Sequence, residues 1–317
     1  MNDQADILGR IHPDFGPLLE AMAGAPPFHE LSVAEAREAY RQLQPLAPQI
    51  EVGSVTDGTV QGPAGPIPIR IFAPAGAGPH PGVLHFHGGG FVIGDLDTHD
   101  AQCRTLCQCA DAVVIAVDYR LAPEHPLPAA HEDCMAVLRH VFANPGAFGV
   151  DPARLGVTGD SAGGNLSASC AVQAKKEGLP LKAQMPVVPA VDRGIDSAER
   201  RANWATRNNP ILSLDTVDWF ASHSMPSDSI KGDIRLSPLL EPDLSGVAPA
   251  IIVPAEIDIL HDEGVDYAEK LRADGVQVEV IEGTGMIHPF FSMPHMIPAA
   301  KAIVEKASKR FGALLRS

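Results

Sequence analysis

From about residue 51 onward the pattern changes, and short apolar runs alternate with longer helical stretches. Ile67-Pro68-Ile69-Arg70-Ile71-Phe72 alternates with a period of two, has Gly/Pro-rich turns at both ends, and predicts a strand. Further strands are predicted at 82–87, 112–117, 154–158, 183–188, 250–254 and 276–281. Helical spacing fills the intervals at 98–109, 129–142, 162–176 and 263–273, and again from about 298. Brief apolar strands separated by helices of ten or more residues predict a mostly parallel sheet with helices on both faces.

Two regions break that rhythm. The first 50 or so residues are helix-like pieces interrupted at Gly24-Ala25-Pro26-Pro27 and Gln44-Pro45-Leu46-Ala47-Pro48. Within them Ser32, followed three residues later by Glu35, is a capping box that opens a helix running to about Gln42. The stretch from about 192 to 240 is polar and turn-rich yet carries Trp204, Trp219, Phe220 and Met225. An insertion after a core strand is expected over the carboxyl ends of the strands, where open α/β sheets bind ligands. The reading is therefore one α/β domain, 1–317, with a helical cap made by about 1–50 and about 192–240.

Composition narrows the function classes. The chain has 317 residues and a formal net charge of −15. So acidic a surface repels phosphate backbones and anionic lipid, so neither nucleic acid nor a membrane is an expected partner. No run approaches the ~20 apolar residues of a membrane helix. Met1-Asn2-Asp3-Gln4-Ala5-Asp6 lacks the basic-then-apolar layout of a secretory signal. An odd count of five cysteines argues for a reducing compartment, so the expected location is cytoplasmic. Cys103, Cys107 and Cys109 lie within one predicted helix at a spacing that fits no zinc or iron–sulfur site, and read as packed thiols. With no P-loop, H-E-x-x-H or G-x-G-x-x-G, neither a metal nor a cofactor is expected.

The candidate chemistry begins where the predicted strand ending at Thr158 meets a helix. Gly159-Asp160-Ser161-Ala162-Gly163 has the G-x-S-x-G layout of a nucleophile elbow. Chance alone places that pattern in about a tenth of chains this long, so its strand–turn–helix setting carries the argument. Upstream, His85-Phe86-His87-Gly88-Gly89-Gly90 follows a strand directly, and its glycines bring backbone N–H groups close to a ligand. A serine nucleophile needs a base, and the base an orienting carboxylate. Asp258 sits on the loop after the strand at 250–254, with Glu256 in reserve. Asp262 and Glu263 suit the first turn of a helix, where acids are favoured by the dipole. His288 lies beyond the last predicted strand, and His295 is its nearest rival.

These motifs, with Asp118-Tyr119-Arg120-Leu121-Ala122-Pro123-Glu124-His125-Pro126 and Gly285-Met286-Ile287-His288, make the chain resemble the hormone-sensitive-lipase-like bacterial serine esterases of the α/β-hydrolase fold. The resemblance runs from about Ile67 to the C-terminus. It implies Ser161 as nucleophile, His288 as base and Asp258 as orienter. It further implies an oxyanion hole from the N–H groups of Gly88, Gly89 and Ala162, an N-terminal cap, and cofactor-free hydrolysis of short-acyl esters. Ile259 stands where the family usually has Pro, and Pro289 where it usually has Gly. The expected activity is a serine carboxylesterase. A deacetylase or an amide or formamide hydrolase would use the same triad, and a non-catalytic small-molecule-binding protein is the remote alternative. The strand from Val276 to Ile281 is expected at a sheet edge, where it would pair two copies into a homodimer.

Overall fold

The apolar runs do form the sheet. The computed structural model describes residues 7, 9–42, 50–192, 204, 206–207, 210–227, 230 and 232–317; the expected break at Gln44 to Pro48 and positions 193–203 of the expected cap lie outside them. Eight strands form one sheet: β1 (Ser54–Gly62), β2 (Gly65–Ala73), β3 (His80–Phe86), β4 (Val113–Val117), β5 (Val150–Asp160), β6 (Ala183–Val187), β7 (Ala250–Ile252) and β9 (Val278–Val280). Their spatial order is β1-β2-β4-β3-β5-β6-β7-β9. The β1–β2 and β2–β4 pairs are antiparallel and the remaining pairs parallel.

Both faces of the sheet are buried, as the continuous apolar runs require. Along β4, Val113, Ile115 and Val117 join one apolar cluster while Val114 and Ala116 join the other. The first face is covered by α4 (Ala129–Ala143), α5 (Ala162–Glu177) and α7 (His261–Ala273), through residues such as Leu138, Leu166 and Leu271. The second is covered by α3 (Asp100–Ala110) and α8 (Pro298–Arg316), through Leu106, Phe311 and Leu315. Cys103 and Cys107 are buried on α3 and Cys109 is half-buried; burial pushes the Cys107 thiol up to about 12. All five cysteines are free.

Three strands were not anticipated. β1 pairs with β2 as a hairpin, but its burial is confined to Val60, so its sequence carries no apolar alternation. The other two, β8 (Ala255–Ile257) and β10 (Gly283–Ile287), form a separate two-stranded parallel ladder.

The N-terminal segment divides between two environments. Phe15 and Leu18, beside and in α1 (Gly16–Met22), pack into the body with Phe290 and Phe291. The capping-box helix α2 (Val33–Gln42) instead joins α6 (Leu214–Ser224): Phe28, Ala36, Tyr40, Leu212, Val217, Trp219 and Phe220 share a third cluster with Val92, Ile93 and Leu260. Of the segment expected as cap up to residue 50, residues within 28–42 share this third cluster, whereas Phe15 and Leu18 fill the body instead. The box itself forms as read: Ser32 N–H donates to Glu35 Oε2 at 2.9 Å and Glu35 N–H to Ser32 Oγ at 3.3 Å. Arg37 fastens α2 to the body by donating to the carbonyls of Val92 and Ala122 and to both carboxylate oxygens of Glu124.

Candidate active site

β3 and β5 are neighbours, with Phe86 opposite Gly159. The chain leaves β3 toward β4 on one side and later returns to β5 on the other, so a topological switch point lies between them. The Gly-rich segment after β3 and the serine after β5 therefore emerge side by side at the strands' carboxyl ends.

Ser161 takes φ 58° and ψ −115°, a left-handed backbone that costs a non-glycine residue about 1 to 3 kcal/mol. Its N–H donates to Val187 O at 2.9 Å, which helps hold the turn. Gly163 abuts the end of the neighbouring strand β3 so closely that a Cβ there would lie 1.9 Å from Phe86 O. Gly163→Ala is accordingly expected to cost about 3 kcal/mol or more of stability in urea unfolding; a variant as stable as the parent would contradict this packing. Helix α5 starts directly behind the serine, so Ala162 N–H is one of its unbonded first-turn donors at the positive dipole end.

A second register match brings the candidate base and its candidate orienter together. β10 lies against β8 with Ile287 opposite Ile257, which makes the next residues, His288 and Asp258, neighbours. His288 Nδ1 is 2.7 Å from Asp258 Oδ2. Asp258 is fully buried, and its other oxygen accepts Leu260 N–H at 3.0 Å. An ionised carboxylate only accepts, so the proton between them belongs to His288 Nδ1 and leaves Nε2 as a lone pair.

The rival candidates go elsewhere. Glu256 accepts from Gly285 N–H and from Arg10, both at 2.9 Å, and these contacts hold its carboxyl below the usual range. It steadies the strand that carries His288 without touching the ring. His295 has no partner on either ring nitrogen among the described residues. Asp262 pairs with Arg207 and His261, while buried Glu263 accepts the Asp192 N–H at 2.6 Å. Glu263 is thus a structural acceptor as well as a helix-start acid.

The oxyanion donors need a correction. Gly88 N–H points inward and donates to His99 Nε2 at 3.2 Å, so it is already committed. The next two peptide units face the other way. Gly88 O accepts from His87 Nδ1 at 2.8 Å, and Gly89 O accepts from both Val92 N–H and Ile93 N–H at 3.0 Å. A trans peptide sets its N–H opposite its C=O, so these bonds turn the Gly89 and Gly90 N–H groups away from the body. Both glycines line the cavity with Ser161 and Ala162, and Gly88 does not. The donor set supported by the geometry is Gly89, Gly90 and Ala162. Counting glycines in the sequence could not show which peptide faced inward; that depended on a histidine eleven residues away.

Buried side chains support the loop from beneath. Tyr119 donates its hydroxyl proton to His87 O at 2.7 Å and stacks on the His87 ring with centroids 4.2 Å apart. Burial pushes His85 down to about 3 and His87 to about 4, so both imidazoles are neutral. The Tyr119-to-His125 turn is itself held on both sides: Arg120 grips buried Asp133 with two bonds of 2.8 Å, and Glu124 holds Arg37. Arg37, beside Glu124, lowers that carboxyl to about 2.

The cavity over these groups holds about 740 Å³ of empty space, including its open mouth. Phe28, Tyr40, Leu212, Val217 and Phe220 line it together with His288 and Leu260. Phe220 lies directly on Gly90, where a Cβ would meet its ring at 2.3 Å. Trp204 and Trp219 pack in the cap cluster instead. The two departures noted in the sequence are accommodated. Ile259 is buried in that same cluster, and Pro289 sits in the first turn of the 3₁₀ segment His288–Ser292, where a missing N–H costs nothing.

Comparison with known proteins agrees with this architecture. A family model described as alpha/beta hydrolase fold matches residues 83–292. The chain is 45% identical over 254 residues to the carboxylic ester hydrolase LipN of Mycobacterium tuberculosis, a match covering 78% of this chain and 66% of the relative. It is 37% identical to the carboxylesterase NlhH of the same species, over 96% of this chain and 97% of that one. A solved hyperthermophilic esterase from the archaeon Pyrobaculum calidifontis superposes with a TM-score of 0.91 at 32% identity, covering 97% of this chain and 99% of that structure.

Proposed function

The chain belongs to the α/β-hydrolase fold family, and we propose that within it the protein is a serine carboxylesterase acting on short- to medium-acyl esters through an acyl-enzyme. The observation that carries this reading is the 2.7 Å His288–Asp258 pair, with His288 lining the same cavity as Ser161 and three backbone donors. His288 Nε2 takes the hydroxyl proton as Ser161 Oγ attacks the ester carbonyl. Asp258 stabilises the resulting imidazolium, and the Gly89, Gly90 and Ala162 N–H groups receive the oxyanion, each donor contributing about 3 kcal/mol. The imidazolium returns its proton to the leaving alcohol. Water deprotonated by the same ring then attacks the acyl-enzyme, and Ser161 recovers its proton as the acid departs.

The cap assignment rests on the cluster shared by about 28–42 and α6, which closes the site with apolar side chains. Such walls suit an acyl or alkyl chain better than a sugar. A p-nitrophenyl ester series from acetate to palmitate is expected to give activity that peaks at the short end. Anilides or acetylated sugars turned over faster than any ester would favour the amidase or deacetylase alternative. Phe220→Ala, which opens space over Gly90, is expected to move the optimum toward longer acyl chains; an unchanged profile would place the acyl group elsewhere.

Among the described residues β9 pairs with β7 alone and ends the sheet, which favours a homodimer through that edge. A concentration-independent monomer in sedimentation would reject the dimer. Five free thiols favour the cytoplasm, and no helix among the described residues is long and apolar enough to cross a membrane.

A further inference from the structure

We infer that His99 is a positioning residue for this reaction: by accepting the Gly88 N–H, its ring fixes the peptide from which the oxyanion donors are hung. The inference rests on the esterase reading and on the donor set above. His99 is 1% exposed and lies at the start of α3, outside the cavity. It cannot touch a substrate there, yet its Nε2 is 3.2 Å from Gly88 N.

The ring must be neutral and carry its proton on Nδ1 for this bond, and its neighbours require that tautomer. Thr98 Oγ1 donates its single proton to Asp95 O at 2.9 Å. Toward His99 Nδ1, 3.0 Å away, it therefore only accepts, so Nδ1 is the protonated nitrogen. Nε2 is left as an acceptor facing Gly88. Asp95, which organises Thr98, is in turn held by Arg41 of the cap helix α2 at 2.8 Å.

The competing arrangement is also in place. Asp160 Oδ1 lies 3.6 Å from the same Nε2, too far for a hydrogen bond but close enough to attract a proton placed there. With the other tautomer the ring would donate toward Asp160, and the buried Gly88 N–H would lose its acceptor. The 87–88 peptide is now pinned at both ends, by Tyr119 on His87 O and by His99 on Gly88 N–H. Freed at one end it could rotate, and the Gly89 and Gly90 N–H groups that follow would lose their aim. Donors that matter to the oxyanion and not to the ground-state ester act on kcat and leave KM alone.

The test compares His99→Gln, His99→Phe and Thr98→Val with the parent on p-nitrophenyl acetate. A glutamine amide oxygen can reach about where Nε2 stands, whereas Phe keeps the shape without an acceptor. His99→Phe is expected to lower kcat by about 10- to 100-fold with KM within about twofold, and His99→Gln to stay within about threefold of the parent. Thr98→Val leaves the ring in place but removes its proton acceptor, and is expected to lower kcat with KM unchanged. That variant decides the matter if His99→Phe does not fold. Equal losses in Gln and Phe, a loss carried by KM, or a Thr98→Val enzyme with parental kcat would overturn the inference. A parent chain inactive on every ester would instead overturn the esterase reading beneath it.

Discussion

Ser161→Ala is expected to lower kcat by about 10⁴-fold or more while leaving KM and melting temperature close to those of the parent. The size follows from chemistry that no neighbour can replace. Without Oγ there is no nucleophile to form the acyl-enzyme, and only a water oriented by His288 and polarised by the donors remains. The stability expectation follows from what the side chain does not do. Ser161 begins α5 without a hydrogen bond from its hydroxyl to the helix, and the turn is held by backbone contacts that Ala retains. Equal heat stability with lost turnover would locate the defect in catalysis. Substantial activity in the variant, at parental substrate affinity, would mean another group makes the acyl bond.

The second large effect is expected from Asp258→Asn, a loss of about 10³- to 10⁴-fold in kcat. Asp258 is buried and uses both oxygens, one for Leu260 N–H and one for His288 Nδ1. An asparagine has only one oxygen for these two donors. Turned with its amide toward His288, it makes Nδ1 an acceptor and moves the ring proton to Nε2, where it blocks abstraction from Ser161. Turned the other way, it sets its NH₂ against a buried N–H. Glu256→Gln is the control, since the Glu256 carboxylate reaches the His288 strand through Gly285 N–H and not through the ring. An oxygen survives there to accept that bond, so a loss below about tenfold is expected. If Glu256→Gln proved the more damaging substitution, the orienter would have been misassigned.

The body of the fold was legible because β4 is buried along its whole length and spells an unbroken apolar run, while β3, β5 and β6 carry shorter buried apolar stretches between turns and helices. β1 was not, since a strand with one buried side chain has no period to read. The ladder of β8 and β10 was missed for another reason. Ala255-Glu256-Ile257 and Gly283-Thr284-Gly285-Met286-Ile287 are too short and too mixed to stand out. Their pairing nevertheless sets His288 beside Asp258, so the residues were found by chain order while the cause of their meeting was not. The oxyanion loop shows the same limit more sharply. Gly88, Gly89 and Gly90 are indistinguishable as letters; only the tertiary bonds from His99, His87, Val92 and Ile93 decide which N–H faces the cavity. The helix Val33–Gln42 was announced by its capping box, but no local pattern announces that Phe15 and Leu18 pack into the body.

The most direct test of the central claim is to trap the acyl-enzyme. Mixing the protein with p-nitrophenyl acetate and quenching within the first turnover should yield an acetyl adduct on the peptide carrying Ser161. Release of p-nitrophenol in a burst of one equivalent per chain should accompany it, and neither signal should appear in Ser161→Ala. An adduct on a different residue, or steady ester hydrolysis with no covalent intermediate and an active Ser161→Ala enzyme, would contradict the account.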